Sequence, residues 1–186
     1  AMHGFLRLDE TESVAFVATP QNKEIDPVIG VSHAGNPGES SAPGTLQHLA
    51  LNVDTQEQLL NMRDRIRSRG VPVMGPVHHG LCSSIYFAGP ENMALEIATS
   101  GGVPHPMHGR TWIDKEVVEL CGISEDELAG YLKPALYEGE NGAVAQPAFD
   151  PDKPHQIYPE EVYQMMLATP DEVVTQMGSE TEPPNA

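Results

Sequence analysis

The sequence predicts an α+β protein built around one β-α-β-β-β module over residues 44–100. Three observations predict it. An apolar run, Leu46 to Val53, carries a single histidine, His48. A helical pattern follows from Asp54 to Arg69. Three further strand signals then appear around Val71–Val77, Ser83–Ala88 and Met93–Ala98, the last with Glu96 between Leu95 and Ile97. Apolar residues make up 39% of the 186 residues, enough to build a core.

The module's elements follow from local chemistry. Asp54, with Glu57 three residues on, reads as a capping box at the helix start. Leu59, Leu60, Met62 and Ile66 recur at helical spacing, so one face is apolar. Arg63, Arg65, Arg67 and Arg69 gather near the C-terminus, where the helix dipole favours cations. Gly70 stands where a left-handed cap is needed. Gly89-Pro90-Glu91-Asn92 reads as a turn, which makes the Tyr86 and Glu96 strands adjacent and antiparallel. Strand alternation turns Tyr86 with Ser84, and Glu96 with Ala94, to one face of their strands.

Before the module, Phe5–Asp9 and Ser13–Ala18 read as a hairpin closed by Asp9-Glu10-Thr11-Glu12. Ala1 before Met2 reads as a residue left ahead of a start codon. Residues 20–44 are rich in Pro, Gly, Asn and Ser and read as a long, exposed connection of mobile composition. The expected divisions are 1–43 (hairpin and connection), 44–100 (module) and 101–186 (helical extension). In the extension, helices are expected at Lys115–Cys121, from a Ser124/Glu127 capping box to before Pro134, at Glu160–Leu167, and from Thr169 with Pro170 at its first position. Residues 179–186 are polar and read as a frayed end.

Net charge is −17. Residues 1–100 hold six basic against eleven acidic residues, and 101–186 hold four against sixteen. Such a surface repels phosphate backbones, which argues against nucleic-acid binding. No apolar run approaches the ~20 residues that span a bilayer, so no membrane partner is expected. Two cysteines, Cys82 and Cys121, make no disulfide framework and read as buried thiols. A reducing cytoplasm is the default compartment.

Ser84-Ile85-Tyr86-Phe87-Ala88-Gly89-Pro90-Glu91-Asn92-Met93-Ala94-Leu95-Glu96 resembles the S-x-Y-F-x-x-P-x-G-x-x-x-E strand pair of the vicinal-oxygen-chelate superfamily. That superfamily comprises glyoxalases, bleomycin-resistance proteins and extradiol ring-cleaving dioxygenases. A histidine on the first strand and a glutamate on the last stand where its metal ligands stand. His79-Gly80 followed by Tyr86 resembles the extradiol dioxygenase branch in particular. The resemblance implies that His48 and Glu96 ligate a divalent metal, Fe(II) with Mn(II) as the alternative. It implies that His79 serves as acid–base and that Tyr86 hydrogen-bonds an oxygen of a small aromatic, catecholic substrate. Histidine titrates near neutral pH, as that role requires. A homodimer is expected, because each such sheet leaves an edge to be covered.

The chain departs from the pattern in its first part. The hairpin corresponds to the second half of a preceding module, whose first strand would carry another histidine ligand. Where the hairpin of that branch often carries a second histidine, this chain has Glu12 and Ser13. A third ligand is sought from His3, His33 or a partner chain. His78 competes with His79 for the acid–base place, and His105 and His108 read as solvated. The alternatives are another superfamily enzyme (isomerase, lyase or epimerase), or a metal-free module that binds a hydrophobic small molecule.

Overall fold

The computed structural model describes residues 2–109, 111–136 and 144–178. The expected frayed end at 179–186 lies outside them. The chain divides into two compact units, Ala1–Leu132 and Lys133–Ala186.

The first unit opens with an antiparallel hairpin, β1 (Met2–Arg7) and β2 (Ser13–Ala18), in which Met2 pairs with Ala18 and Arg7 with Ser13. Asp9 closes its turn by accepting from the Thr11 and Glu12 amides at 2.7 and 2.8 Å. The β-α-β-β-β order then follows: β3 (Leu49–Asn52), α1 (Gln56–Arg67), β4 (Val73–His78), β5 (Ser83–Ala88) and β6 (Ala94–Thr99). In space the strands lie β3-β6-β5-β4, with β3 parallel to β6 and the other neighbours antiparallel. The parallel pairing needs a crossover, and α1 with the two strands after it supplies that connection.

Helix α1 starts one residue later than the sequence suggests. Thr55, not Asp54, is the N-cap, and Gln58, not Glu57, completes the capping box. Thr55 Oγ1 accepts from the Gln58 amide at 3.1 Å, while Gln58 Oε1 accepts from the Thr55 amide at 3.2 Å. Threonine and glutamine satisfy the same orphan donors as aspartate and glutamate, so composition alone left both frames open. The apolar stripe packs on the sheet: Leu59, Val73, Ile85 and Ile97 form the buried core, with Leu51, Met62, Ile66 and Phe87 against it. Leu60, expected in the stripe, is exposed.

Three special backbone positions shape the strands that carry the site. Gly75 has φ +107 at the register shift of β4, and a Cβ there would stand 2.6 Å from the Ser84 carbonyl oxygen. Only glycine permits that approach. Between β5 and β6, Glu91 and Asn92 both have positive φ, 53° and 58°. Asn92 occupies the glycine place of the superfamily pattern, and asparagine tolerates this region better than most residues.

The connection 20–44 is not uniformly exposed. It contains a short 3-10 turn at Pro20–Glu24, and His33 bridges both Ile29 and Leu46. Ala34 and His33 are buried. The apolar spacing in this stretch is too irregular for a periodicity argument to detect, so the folded segment was invisible to one.

After the module come α2 (Lys115–Leu120), capped by Asp114, and α3 (Glu125–Leu132), where Ser124 Oγ accepts from the Glu127 amide at 3.2 Å. The second unit contains α4 (Glu160–Ala168) and α5 (Asp171–Gly178). Cys82 is buried as expected, but Cys121 is exposed, because α2 ends before it and its side chain meets no core. No helix among the described residues is long and apolar enough to cross a membrane.

Candidate metal and substrate site

The two faces of the sheet divide by alternation. Leu49, Leu51, Ile85, Phe87, Leu95 and Ile97 share the helix side through the pairings Leu49↔Leu95, Leu51↔Ile97, Ile85↔Ile97 and Phe87↔Leu95. The intervening residues, Ala50, Ser84, Tyr86, Ala94 and Glu96, share the opposite side. The candidate site is assembled on that opposite side.

Glu96 is 7% exposed, and its carboxylate Oε2 lies 2.9 Å from His48 Nε2. A buried carboxylate is costly without such a partner. His48 stands one residue before β3 rather than on it, because the parallel ladder with β6 begins at Leu49↔Leu95. The other ring nitrogen, Nδ1, contacts Gln47 Oε1. Glu96 pairs across the strands with Tyr86. The Tyr86 hydroxyl lies 2.9 Å from His79 Nε2, with the two rings edge to face at 6.3 Å. His79 stands in the tight turn after β4, where its amide donates to the Cys82 carbonyl at 2.8 Å and Gly80 takes φ +82.

The structure therefore brings all four sequence-predicted residues together: His48 with Glu96, His79 with Tyr86, and the two pairs joined by the Tyr86–Glu96 register. Burial pushes the Tyr86 phenol above its ordinary pKa; the Ser84 hydroxyl works against that shift and the Glu96 carboxylate adds to it. The phenol thus keeps its proton near neutral pH and remains a donor. With hydrogen on His79 Nδ1, His79 Nε2 accepts that proton's hydrogen bond.

The histidines held in reserve are sorted by their neighbours. His78 lies on the helix side, its Nδ1 2.7 Å from Ser83 Oγ, which also accepts from Gln56 Nε2 at 2.8 Å. It does not share the face of Tyr86. His33 is committed at both nitrogens: Nδ1 accepts from the Gly35 amide at 3.1 Å, so Nε2 carries the hydrogen donated to the Glu91 carbonyl at 3.0 Å. A ring so engaged offers no lone pair to a metal, and His33 is removed from the ligand candidates. The side chain of His3 lies outside the described residues. His105 and His108 are exposed. Among the described residues no group of three or more His, Cys, Asp or Glu is placed to hold a metal ion.

Sequence reasoning missed Gln47, whose only signal was adjacency to His48. A cavity of about 720 Å³ lies elsewhere, between the hairpin end (Leu8, Asp9, Glu12) and Leu51, Met62 and Arg65, and none of the four candidate residues lines it.

Comparison with known proteins points the same way as the module. No protein-family model matches the chain. The chain is 25% identical over 125 residues to biphenyl-2,3-diol 1,2-dioxygenase 3 of Rhodococcus globerulus, covering 64% of each. It is also 25% identical over 88 residues to biphenyl-2,3-diol 1,2-dioxygenase 2 of the same organism, covering 47% of this chain and 46% of that one. The chain thus spans about half to just under two thirds of the length of the curated relatives it matches. Among solved structures, the fosfomycin resistance protein FosX of Listeria monocytogenes matches 30% of this chain and 46% of its own at 28% identity and TM-score 0.26. A putative dioxygenase of Bacillus subtilis matches 47% of this chain and 29% of its own at 20% identity and TM-score 0.32.

The β-α-β-β-β order and the Ser84–Glu96 sequence resemble those of the vicinal-oxygen-chelate, or glyoxalase/dioxygenase, superfamily. Among curated proteins, the chain is similar to the two biphenyl-diol dioxygenases.

Proposed function

We propose that this chain is an extradiol-type ring-cleaving dioxygenase acting on a small catecholic substrate, with biphenyl-2,3-diol as the first compound to try. The observation that carries the reading is the convergence of His48 Nε2 and Glu96 Oε2 at 2.9 Å beside the Tyr86–His79 pair. Two such donor atoms at this separation suit neighbouring vertices of a divalent-metal polyhedron, and a histidine–carboxylate set with open positions suits Fe(II), or Mn(II). The fit is partial, since two ligands are described and a facial triad needs three; the third then comes from outside the described residues or from a partner chain. A bound metal would supply adjacent positions for a catecholate and dioxygen.

The chain's own residues supply the rest. Tyr86, kept protonated by burial, turns the hydrogen bond it gives to His79 Nε2 toward a substrate oxygen when substrate binds, which frees His79 Nε2. His79, exposed and within reach of that phenol, takes up and returns the substrate's proton.

A homodimer accompanies this reading. Phe5, Phe16 and Val17 of the hairpin are more than half exposed, and β3 and β4 are edge strands among the described residues. Light scattering at micromolar concentration would show a dimer; a strict monomer would count against it.

The second reading, a metal-free binding module, is favoured by one observation: His48 and Glu96 already satisfy each other. Elemental analysis of protein purified anaerobically without chelators decides between them. The dioxygenase reading expects about one iron or manganese per chain, followed by oxygen uptake with catechols. No metal, even after soaking with ferrous ion, overturns it in favour of the binding module.

A further inference from the structure

We propose that Gln47 is the positioning residue that aims His48 at Glu96; this rests on the reading of His48 as a metal ligand. Gln47 is half-buried at the end of the connection. Its Nε2 donates to the Glu39 carbonyl at 3.1 Å and to the Asn36 carbonyl at 3.4 Å. An amide nitrogen can only donate, so these two carbonyls fix which end of the carboxamide is which. The carbonyl end, Oε1, is thereby turned to His48 Nδ1. An amide oxygen can only accept, so Nδ1 must carry a hydrogen. That leaves Nε2 as the nitrogen directed at Glu96 and free to ligate. A ligating histidine ordinarily gives its other N–H to such a partner, which fixes both tautomer and ring direction.

The tether continues beyond Gln47. The same connection carries His33, which holds the Glu91 carbonyl in the turn that leads into β6. One run of hydrogen bonds thus ties the turn preceding Glu96 to the connection, and the connection through Gln47 to His48. Both candidate ligands are referenced to residues 33–39, a stretch with no residue in the site itself.

Two variants separate aiming from simple bracing of the connection. Gln47→Met keeps size and loses both polar ends. Gln47→Glu keeps an acceptor for Nδ1–H but loses the donors to Asn36 and Glu39. The first readout is nuclear magnetic resonance of the histidine ring protons in metal-free protein, with His48→Asn to assign the signal. A hydrogen-bonded, slowly exchanging His48 Nδ1–H is expected in the parent and in Gln47→Glu, and is expected to vanish in Gln47→Met. The second readout is Mn²⁺ titration: affinity should fall roughly 10–100-fold in Gln47→Met and only a few-fold in Gln47→Glu. The same protected Nδ1–H in Gln47→Met overturns the inference, as does equal weakening by both variants. If the parent protein takes no Mn²⁺, the metal reading fails separately, and the ring-proton comparison alone decides the role of Gln47.

Discussion

The two faces of the four-stranded sheet are made from the same strands and do opposite work. On β6, Leu95 and Ile97 lie toward α1, while Ala94, Glu96 and Ala98 lie away from it. On β5, Ile85 and Phe87 lie toward the helix, while Ser84 and Tyr86 lie away. The helix face is closed by apolar packing on Leu59. The other face holds a buried carboxylate, two imidazoles and a phenol connected by hydrogen bonds. A period of two lets one strand place stability and chemistry side by side, one residue apart. It also means that a one-residue slip of β6 against β5 would exchange them, which is why the β5–β6 turn matters.

The largest effect expected is on the helix face. Leu59→Ala should cost about 2–5 kcal/mol, because Leu59 is fully buried among Val73, Ile85 and Ile97. Urea denaturation checks it, and an unchanged midpoint would break the division of labour between the faces. On the site face, Glu96→Gln should abolish metal uptake, read by titration with Mn²⁺, while far-ultraviolet circular dichroism stays that of the parent. Metal uptake that survives the substitution refutes the ligand assignment. Thr55→Ala should cost about 1 kcal/mol, the usual loss for an N-cap; an equal loss from Asp54→Ala would restore the earlier helix start.

The smallest effect is electrostatic. The folded Tyr86 phenol titrates above its unfolded value near 10. Its contribution to stability is therefore fully present below the unfolded pKa and is lost as pH rises through the folded one. Denaturation midpoints measured from pH 9 to 12 should fall less steeply in Tyr86→Phe than in the parent. Ultraviolet titration should also lose one late-ionising phenol; loss of an ordinary one would show that the site face is wetter than its burial implies.

Much of this arrangement could be read in the chain. The strand order, the Asp9 turn, the Gly70 cap and the shared face of Tyr86 and Ser84 follow from local spacing and turn chemistry. So does the antiparallel adjacency of the Tyr86 and Glu96 strands, but the turn read as Gly89–Asn92 is a five-residue connection, 89–93, and that extra residue is what sets Tyr86 opposite Glu96 rather than Leu95. The candidates His48, Glu96, His79 and Tyr86 came from the family resemblance, of which only Tyr86 and Glu96 lie in the contiguous Ser84–Glu96 stretch, and the structure brings His48 to Glu96 and His79 to Tyr86. The capping frame slipped by one residue because Asp54/Glu57 and Thr55/Gln58 satisfy the same donors.

What the sequence by itself determined is therefore local: which segments form strands, where α1 lies, and which residues alternate to one face. Tertiary structure alone decided the rest. It brought His48 to Glu96, 48 positions further along the chain, spent both nitrogens of His33 on backbone groups, turned His78 to the helix side, and set Gln47 between the connection and His48. Those outcomes depend on hydrogen bonds between residues far apart in the chain. A hydrogen bond has direction and needs one donor and one acceptor in register, and neither periodicity nor composition records which distant partners meet.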